Sequence, residues 1–286
     1  MPSSAKELID LLDLETIDVN LFRGTQPDTL LQRVFGGQVA AQALVAGART
    51  VEPEREVHSL HSYFLRPGDT AVPIVYDVER IRDGKSFSTR RIVARQHGRA
   101  IYFMTASFQV PEEGFEHQDL MPQVPSPADS VDLGELFRKR APENGDEWMR
   151  EWAALELRFV GDSRPGGALP NDEHPSQSRL WIRVNGDLGE DDLLHRAAFT
   201  YASDMTLLGS TLVAHGTHVS HPTMQSASLD HTIWFHRPFR ADDWLLYDQV
   251  SPSASGARGL ALGRLFSEDG VLVATVAQEG LIRRRG

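Results

Sequence analysis

The sequence predicts an α+β fold in which one unit, an apolar helix laid on an antiparallel sheet, occurs twice in a single chain. Three observations carry this. Tyr63-Phe64-Leu65-Arg66-Pro67 matches Trp234-Phe235-His236-Arg237-Pro238 at an offset of 238 − 67 = 171, and the same offset carries Ile74-Val75-Tyr76-Asp77 onto Leu245-Leu246-Tyr247-Asp248. An internal repeat of this kind decides the architecture before any single element does. Residues 39–49 are dominated by alanine, with apolar residues on nearly every side (Val39, Ala40, Ala41, Ala43, Leu44, Val45, Ala46), which predicts a helix buried all round. Each copy of the repeat also sits among stretches rich in aromatic and β-branched residues, separated by turn residues.

In chain order, Ser3-Ser4 caps a short helix whose apolar side is Leu8, Leu11 and Leu12. Residues 16–26 alternate as one strand through Ile17, Val19 and Leu21, and Pro27 ends it. The buried helix follows Gly36-Gly37, where the missing side chains allow close approach by a neighbour or ligand. Four strands are predicted at 57–66, 73–82, 86–97 and 100–110, with Asp83-Gly84 and Gly98 turning between them. Residues 111–145 are rich in proline and acid and lack periodicity; they read as a linker with a short helix at 133–139. Beyond it come strands at 155–160 and 180–185, a helical stretch at 193–201, and a run from Asp204 to 214 that corresponds to the second buried helix. Strands follow at 226–236, 243–251, 257–267 and 270–283, the first belonging to a single long strand over 228–239 that Arg237-Pro238 stops. The expected division is therefore 1–112 for the first repeat, 113–150 for an acidic linker and 151–286 for the second repeat. A helix wrapped by a four- or five-stranded antiparallel sheet, twice over, is a double hotdog; pairing the two units edge to edge hides an exposed sheet edge.

The chain of 286 residues is 41% hydrophobic and 24% charged, ordinary globular composition for about two domains. Its net charge of −11 disfavours nucleic acid and acidic membrane surfaces, which need a basic face. The absence of cysteine removes disulfides, thiolate metal sites and a cysteine nucleophile, and suits a cytoplasmic location. No apolar run reaches the roughly 18 residues of a membrane span. The acidic N-terminal stretch is unlike a signal peptide, and the C-terminal Arg283-Arg284-Arg285-Gly286 is not a peroxisomal S-K-L address. His58, His61, His231 and His236 lie on paired strands and read as structural, since no H-x-x-x-H or carboxylate-rich spacing accompanies them; no metal and no organic cofactor is expected.

Seven segments carry a resemblance: V-F-G-G-Q-V-A-A-Q-A-L (34–44), H-S-L-H-S-Y-F-L-R-P-G-D (58–69), R-D-G-K-S-F-S-T-R-R (82–91), Y-A-S-D-M-T-L-L (201–208), S-L-D-H-T-I-W-F-H-R-P-F (228–239), S-P-S-A-S-G-A-R-G-L (251–260) and V-A-Q-E-G-L-I-R (276–283). Together they resemble the acyl-CoA thioesterase II (TesB-type) family of double-hotdog hydrolases, across nearly all of the chain outside the linker. The resemblance implies hydrolysis of fatty acyl-CoA, a homo-oligomer (dimer or tetramer), and a catalytic set of Asp204, Ser228 and Gln278, with serine where many members carry threonine.

The chemistry of the three side chains agrees. A thioester carbonyl is an activated electrophile, so water needs a base, an orientation and a place for the oxyanion. A carboxylate supplies the base. A hydroxyl and a carboxamide hold the water, and the amide N–H can donate to developing charge. At the repeat offset Asp204, Ser228 and Gln278 fall on Arg33, Val57 and Ser107 (Ala106 at an offset of 172), so one active centre per chain is expected. Read without the resemblance, Asp204 is a helix cap, Ser228 a strand serine and Gln278 a surface residue. For the substrate, the helix start at Gly36, Gly37 and Gln38 is a candidate for the thioester or pantetheine. Arg82, Lys85 and Arg91, from the densest basic cluster, are candidates for the phosphates. A serine esterase would show G-x-S-x-G, which is missing, and a hotdog dehydratase would place a histidine beside Asp204, whose next histidine is His215. A non-catalytic acyl-CoA binding protein of the same fold remains the alternative.

Overall fold

A computed structural model describes residues 1–140, 142–172 and 174–285. The first half runs α1 (Ala5–Leu12), β1 (Glu15–Asp18), β2 (Leu21–Gly24), α2 (Gly36–Ala48), β3 (Glu56–Phe64), β4 (Ile74–Asp83), β5 (Phe87–Gln96) and β6 (Arg99–Gln109). Next come β7 (Val131–Asp132), α3 (Leu133–Arg140) and α4 (Pro142–Glu151). The second half runs β8 (Leu155–Asp162), β9 (Gln177–Val184), α5 (Asp192–Ser203), a 3₁₀ segment (Leu207–His215), β10 (Met224–Ser228), β11 (Asp230–Phe235), β12 (Leu245–Ser255), β13 (Arg258–Ser267) and β14 (Leu272–Arg284).

All strands join one antiparallel sheet in the order β1-β2-β4-β5-β6-β3-β11-β14-β13-β12-β9-β8-β7, with β10 also on β14. The halves meet where β3 pairs with β11, from Asp230 opposite Tyr63 to Trp234 opposite Ser59. Each half gives one central strand to this seam, so the double hotdog has no free edge at its middle. Helices α2 and α5 pack against each other inside the curl of the sheet. Eleven residues of α2, from Gly37 to Gly47, are buried, as the all-round apolar pattern requires. Its buried Gln42 is satisfied by Leu11 O, Thr25 O and the Tyr76 hydroxyl.

Three expectations need correction. Residues 16–26 form two short strands, because Asn20 takes a left-handed φ of 61° and folds β1 back on β2. The strand expected over 228–239 breaks at Leu229: β10 ends at Ser228 and β11 begins at Asp230. The second buried helix is α5, not 204–214. Asp191 accepts from Leu193 N at 2.9 Å and caps α5, whereas in 207–215 the Ser210 and Thr211 hydroxyls bond back to Leu207 O and Leu208 O, a competition that favours a tight 3₁₀ coil over an α-helix. The helices therefore start 192 − 36 = 156 residues apart while the strands keep 171. The second copy thus carries 171 − 156 = 15 additional residues between its helix and its sheet.

The linker lies over the outer face of the second half. Gln118 bonds Gly270 O and Leu272 N, the Trp181 indole donates to Pro125 O at 2.9 Å, and Met121 and Val124 pack on Trp181, Leu246 and Phe266. The short helix expected near 133–139 is α3, and a second helix, α4, follows it within the stretch expected to be a linker.

Candidate active site

The break in strand pairing, the end of α5 and the start of α2 converge. Asp204 is the C-terminal cap of α5. Ser228 ends β10 opposite Gly280, and Gln278 lies two residues earlier on β14. Leu229 bridges the seam at the break, donating its N–H to Glu279 O and accepting from Phe64 N, both at 2.9 Å. The irregularity turns Ser228 toward Asp204: its Oγ donates to Asp204 Oδ1 at 3.2 Å. Gln278 Nε2 donates to Ser228 Oγ at 3.0 Å and to Asp204 Oδ1. The three predicted catalytic side chains are thus one hydrogen-bonded cluster.

Asp204 belongs to both helices' ends. Phe35 offers α2 no side-chain cap, so the first N–H groups of that helix lack intrahelical partners and form an anion-binding end. The Gly37 N–H donates to the Asp204 carboxylate. A Cβ on Gly36 would stand 2.5 Å from Asp204 Oδ2 and 2.8 Å from the Phe64 ring, so the contact requires glycine. The carboxylate touches cavity space, yet the atoms around it are almost all protein. Burial pushes its pKa up to about 6, and the hydrogen bonds from Gln278, Ser228 and Gly37 hold it from rising further. A carboxylate poised there is basic enough to take a proton near neutral pH and is still ionised.

His231 is fully buried behind the cluster, its Nε2 2.8 Å from Ser203 Oγ, and burial lowers its pKa to about 3, so the ring is neutral. It makes no hydrogen bond to Ser228. Among the described residues no group of three or more His, Cys, Asp or Glu side chains is arranged to hold a metal ion.

Two cavities open on either side of the cluster, and Gly36, Asp204 and Ser228 line both. The larger, about 670 Å³, is walled mainly by leucine, phenylalanine, methionine and valine from the loop before α2, from α3, β8 and the 3₁₀ segment, with Arg33 and the Arg164–Asp162 pair also in its lining. The smaller, about 370 Å³, runs between Phe64, Pro67, Tyr102 and two cations, Arg33 and Arg66. Neither arginine has an acidic partner among the described residues; Arg66 donates to Ala100 O at 2.6 Å.

The substrate-side expectations divide. Gly36 and Gly37 are at the site. Gln38 is buried and spends its amide on Gln26 Oε1 and Thr25 O, bracing the loop before α2. Arg82 and Lys85 lie at the β4–β5 turn, which pairs through Ser88 and Phe108 with Val57, the end of β3 opposite the active-site residue Phe64. Arg91 is exposed beside Glu79 at 3.6 Å. None of these three lines a cavity next to Asp204. Arg33 and Arg66, read as a repeat position and a turn residue, line the smaller cavity instead. The mirrored position lacks this arrangement: the helix offset puts Ala48 opposite Asp204, α5 starts with Asp192-Leu193 instead of two glycines, and the nearby Glu56 is held in an ion pair with Arg196.

Fold and site together define a double-hotdog protein with one carboxylate-centred site between a mainly apolar cavity and a smaller one that Arg33 and Arg66 line. The models for an acyl-CoA thioesterase and for an acyl-CoA thioesterase N-terminal domain match residues 163–281 and 26–109. The chain is 42% identical over 288 residues to acyl-CoA thioesterase 2 of Haemophilus influenzae, covering 99% of both chains. It is 43% identical to human acyl-coenzyme A thioesterase 8, covering 96% of this chain and 88% of that one. The crystal structure of acyl-CoA thioesterase II TesB2 from Mycobacterium marinum superposes with a TM-score of 0.82 at 46% identity, covering 98% and 99% of the two chains. The chain belongs to the acyl-CoA thioesterase family.

Proposed function

We propose that this chain hydrolyses fatty acyl-CoA thioesters to free fatty acid and coenzyme A by direct attack of water, with Asp204 as the base. The observation that carries this reading is the Asp204–Ser228–Gln278 cluster at the junction of an apolar and a cationic cavity. The acyl chain takes the larger cavity, where apolar surface leaves water, and the phosphates of coenzyme A face Arg33 and Arg66. The thioester carbonyl then sits at the junction. Water held against Asp204 and Ser228 loses a proton to Asp204 as its oxygen bonds to the carbonyl carbon. The C=O electron pair moves onto oxygen, toward the N–H groups at the start of α2. Collapse of that intermediate breaks the C–S bond, and the thiolate leaves with the proton that Asp204 returns.

Gln278 has a different part from the one its residue type proposes. Both of its amide hydrogens are committed to Asp204 and Ser228, so it orients the base and the hydroxyl and is not free to meet the oxyanion. Its Oε1 is buried and lacks a partner among the described residues. Ser228 acts as a positioning hydroxyl: no histidine among the described residues is hydrogen-bonded to it, and its Oγ donates to the same Asp204 oxygen that Gln278 holds, leaving the carboxylate to act on water.

The test is thiol release from a panel of acyl-CoAs from acetyl to palmitoyl. Hydrolysis at one or more lengths is expected; tight binding with no thiol at any length would make the chain a non-catalytic acyl-CoA binder. In the same reading, 1–112 and 151–286 are the two repeats and 113–150 joins them. No helix among the described residues is long and apolar enough to cross a membrane, and we place the protein in the cytoplasm, which cell fractionation tests. We also propose a homo-oligomer, dimer or tetramer. An uncovered aromatic strip supports it: Tyr63 stacks on Phe103 and His61 meets Trp234 on the outer face near the seam, with Tyr63 52% exposed. Sedimentation at micromolar concentration distinguishes it from a monomer.

A further inference from the structure

One wall of the apolar cavity comes from neither repeat. Leu133, Leu136 and Phe137 of α3 line it opposite Leu208 and Val213 of the 3₁₀ segment. Their spacing of i, i+3 and i+4 puts all three on one helix face. That face is held in place from three directions. β7 adds to the free edge of β8, with Val131 opposite Phe159 and Asp132 opposite Arg158. Asp132 then accepts from Glu135 N at 2.9 Å and caps α3. From outside, α4 presses its Trp148 ring flat on Phe137 at 5.1 Å, while Arg138 pairs with Asp146 at 2.8 Å and reaches Met149 Sδ. An exposed loop would need none of this. A braced, correctly facing apolar helix over a cavity of about 670 Å³ is a built wall.

We infer that α3 of the linker sets the acyl-chain length this protein accepts, with Leu136 and Phe137 as the specificity-determining contacts. The inference rests on the assignment of the larger cavity to the acyl chain. Asp204 and Ser228 line the cavity together with α3; with the thioester at the junction, a short chain is expected to leave α3 untouched. Only a chain long enough to cross the cavity meets Leu136 and Phe137. The signature of such a wall is a break in the chain-length profile that moves when the wall moves. A methylene that fits or fails to fit in such a pocket changes discrimination roughly tenfold or more.

The experiment uses the full chain and S-alkyl-CoA thioethers from butyl to hexadecyl, which bind and cannot be hydrolysed at the sulfur. Dissociation constants are measured by calorimetry for the native protein, Leu136→Trp and Phe137→Ala. Leu136→Trp is expected to lower the ratio of dodecyl to butyl affinity at least tenfold. Phe137→Ala, which enlarges the cavity, is expected to move the break to longer chains by one or more methylene pairs. Three profiles that run parallel within a factor of two would overturn the inference. So would a shift in the same direction for both variants. If Leu136→Trp does not fold, the truncation at Phe137 decides alone. Because the measurement is of binding, it separates the two readings: a native protein that releases no thiol would sink the hydrolytic reading, and the thioether profiles would still decide the part played by α3.

Discussion

Replacing Asp204 by asparagine should disarm the site and, at high pH, stabilise the fold. Burial raises the Asp204 pKa to about 6 from an ordinary 3.8. In the unfolded chain the carboxyl ionises at its ordinary value, so between those two values the folded state holds the proton and the unfolded state has lost it. Stability therefore falls as pH rises through this window. At about 1.36 kcal/mol per pKa unit, the ionised carboxylate costs the fold roughly 2–3 kcal/mol at pH 8, and little at pH 4. Asparagine has no charge to bury and keeps an oxygen for Gln278 and Ser228. Its amide meets the Gly37 N–H as a second donor, a penalty that does not change with pH. The difference in unfolding free energy, Asp204→Asn minus native, should thus rise by roughly 2–3 kcal/mol from pH 4 to pH 8, while kcat falls by about 10²–10⁴. Urea unfolding of both proteins at four pH values measures the first, and thiol release measures the second. A difference that stays flat with pH would mean that the carboxylate is already well solvated, and the argument for a raised base would go with it.

Native kcat/KM should rise with pH through about 6 as Asp204 ionises, and this limb should be lost in Asp204→Asn, as initial rates across pH 5 to 8 would show. Ser228→Ala should leave a measurable residual rate; an acyl adduct on Ser228, trapped by rapid quenching and seen by intact-protein mass spectrometry at the turnover rate, would replace direct water attack by a covalent path. Arg33→Ala combined with Arg66→Ala should raise KM for acyl-CoA severalfold and flatten its salt dependence, whereas Arg82→Ala should leave KM unchanged; the opposite ranking in steady-state kinetics would return the phosphates to the β4–β5 turn. EDTA should leave the native rate unchanged, since the proposed chemistry is carried by side chains alone; inhibition reversed by added metal would contradict it.

The repeat at constant offset was enough to read the sheet, because strand pairing preserves spacing: β3 to β6 and β11 to β14 fall within a few residues of their sequence positions. The second buried helix was misplaced for the same reason. A fixed offset cannot register the insertion between α5 and β11, and 204–214 is as apolar as a helix should be. Asp204, Ser228 and Gln278 were legible from motifs as a candidate set, but not the bonds that join them, since the commitment of the Gln278 amide depends on the kink at Leu229 that turns Ser228 inward. Arg82, Lys85 and Arg91 line neither cavity beside Asp204, because a local density of arginines says nothing about which end of a strand faces the site. Arg90, in the same cluster of arginines, is buried and bonded to Thr50 and Asp83.

The 15 residues that separate the helix spacing from the strand spacing have a genetic consequence. Two identical chains related by a twofold axis receive every mutation in pairs, so a loop that enlarges one site enlarges both, and a glycine lost at one helix start is lost at both. Fusing the copies removes that constraint. Here one copy has grown the segment that bears Asp204 and a cavity wall, while the other has kept the bare helix start of Gly36-Gly37 that Asp204 needs beside it. At the mirrored position Ala48 stands where the carboxylate would be, and Arg196 is paired with Glu56. Each half has become the complement of the other and can no longer stand in for it, so a protein built from two copies of either half alone would keep the sheet and lose the site.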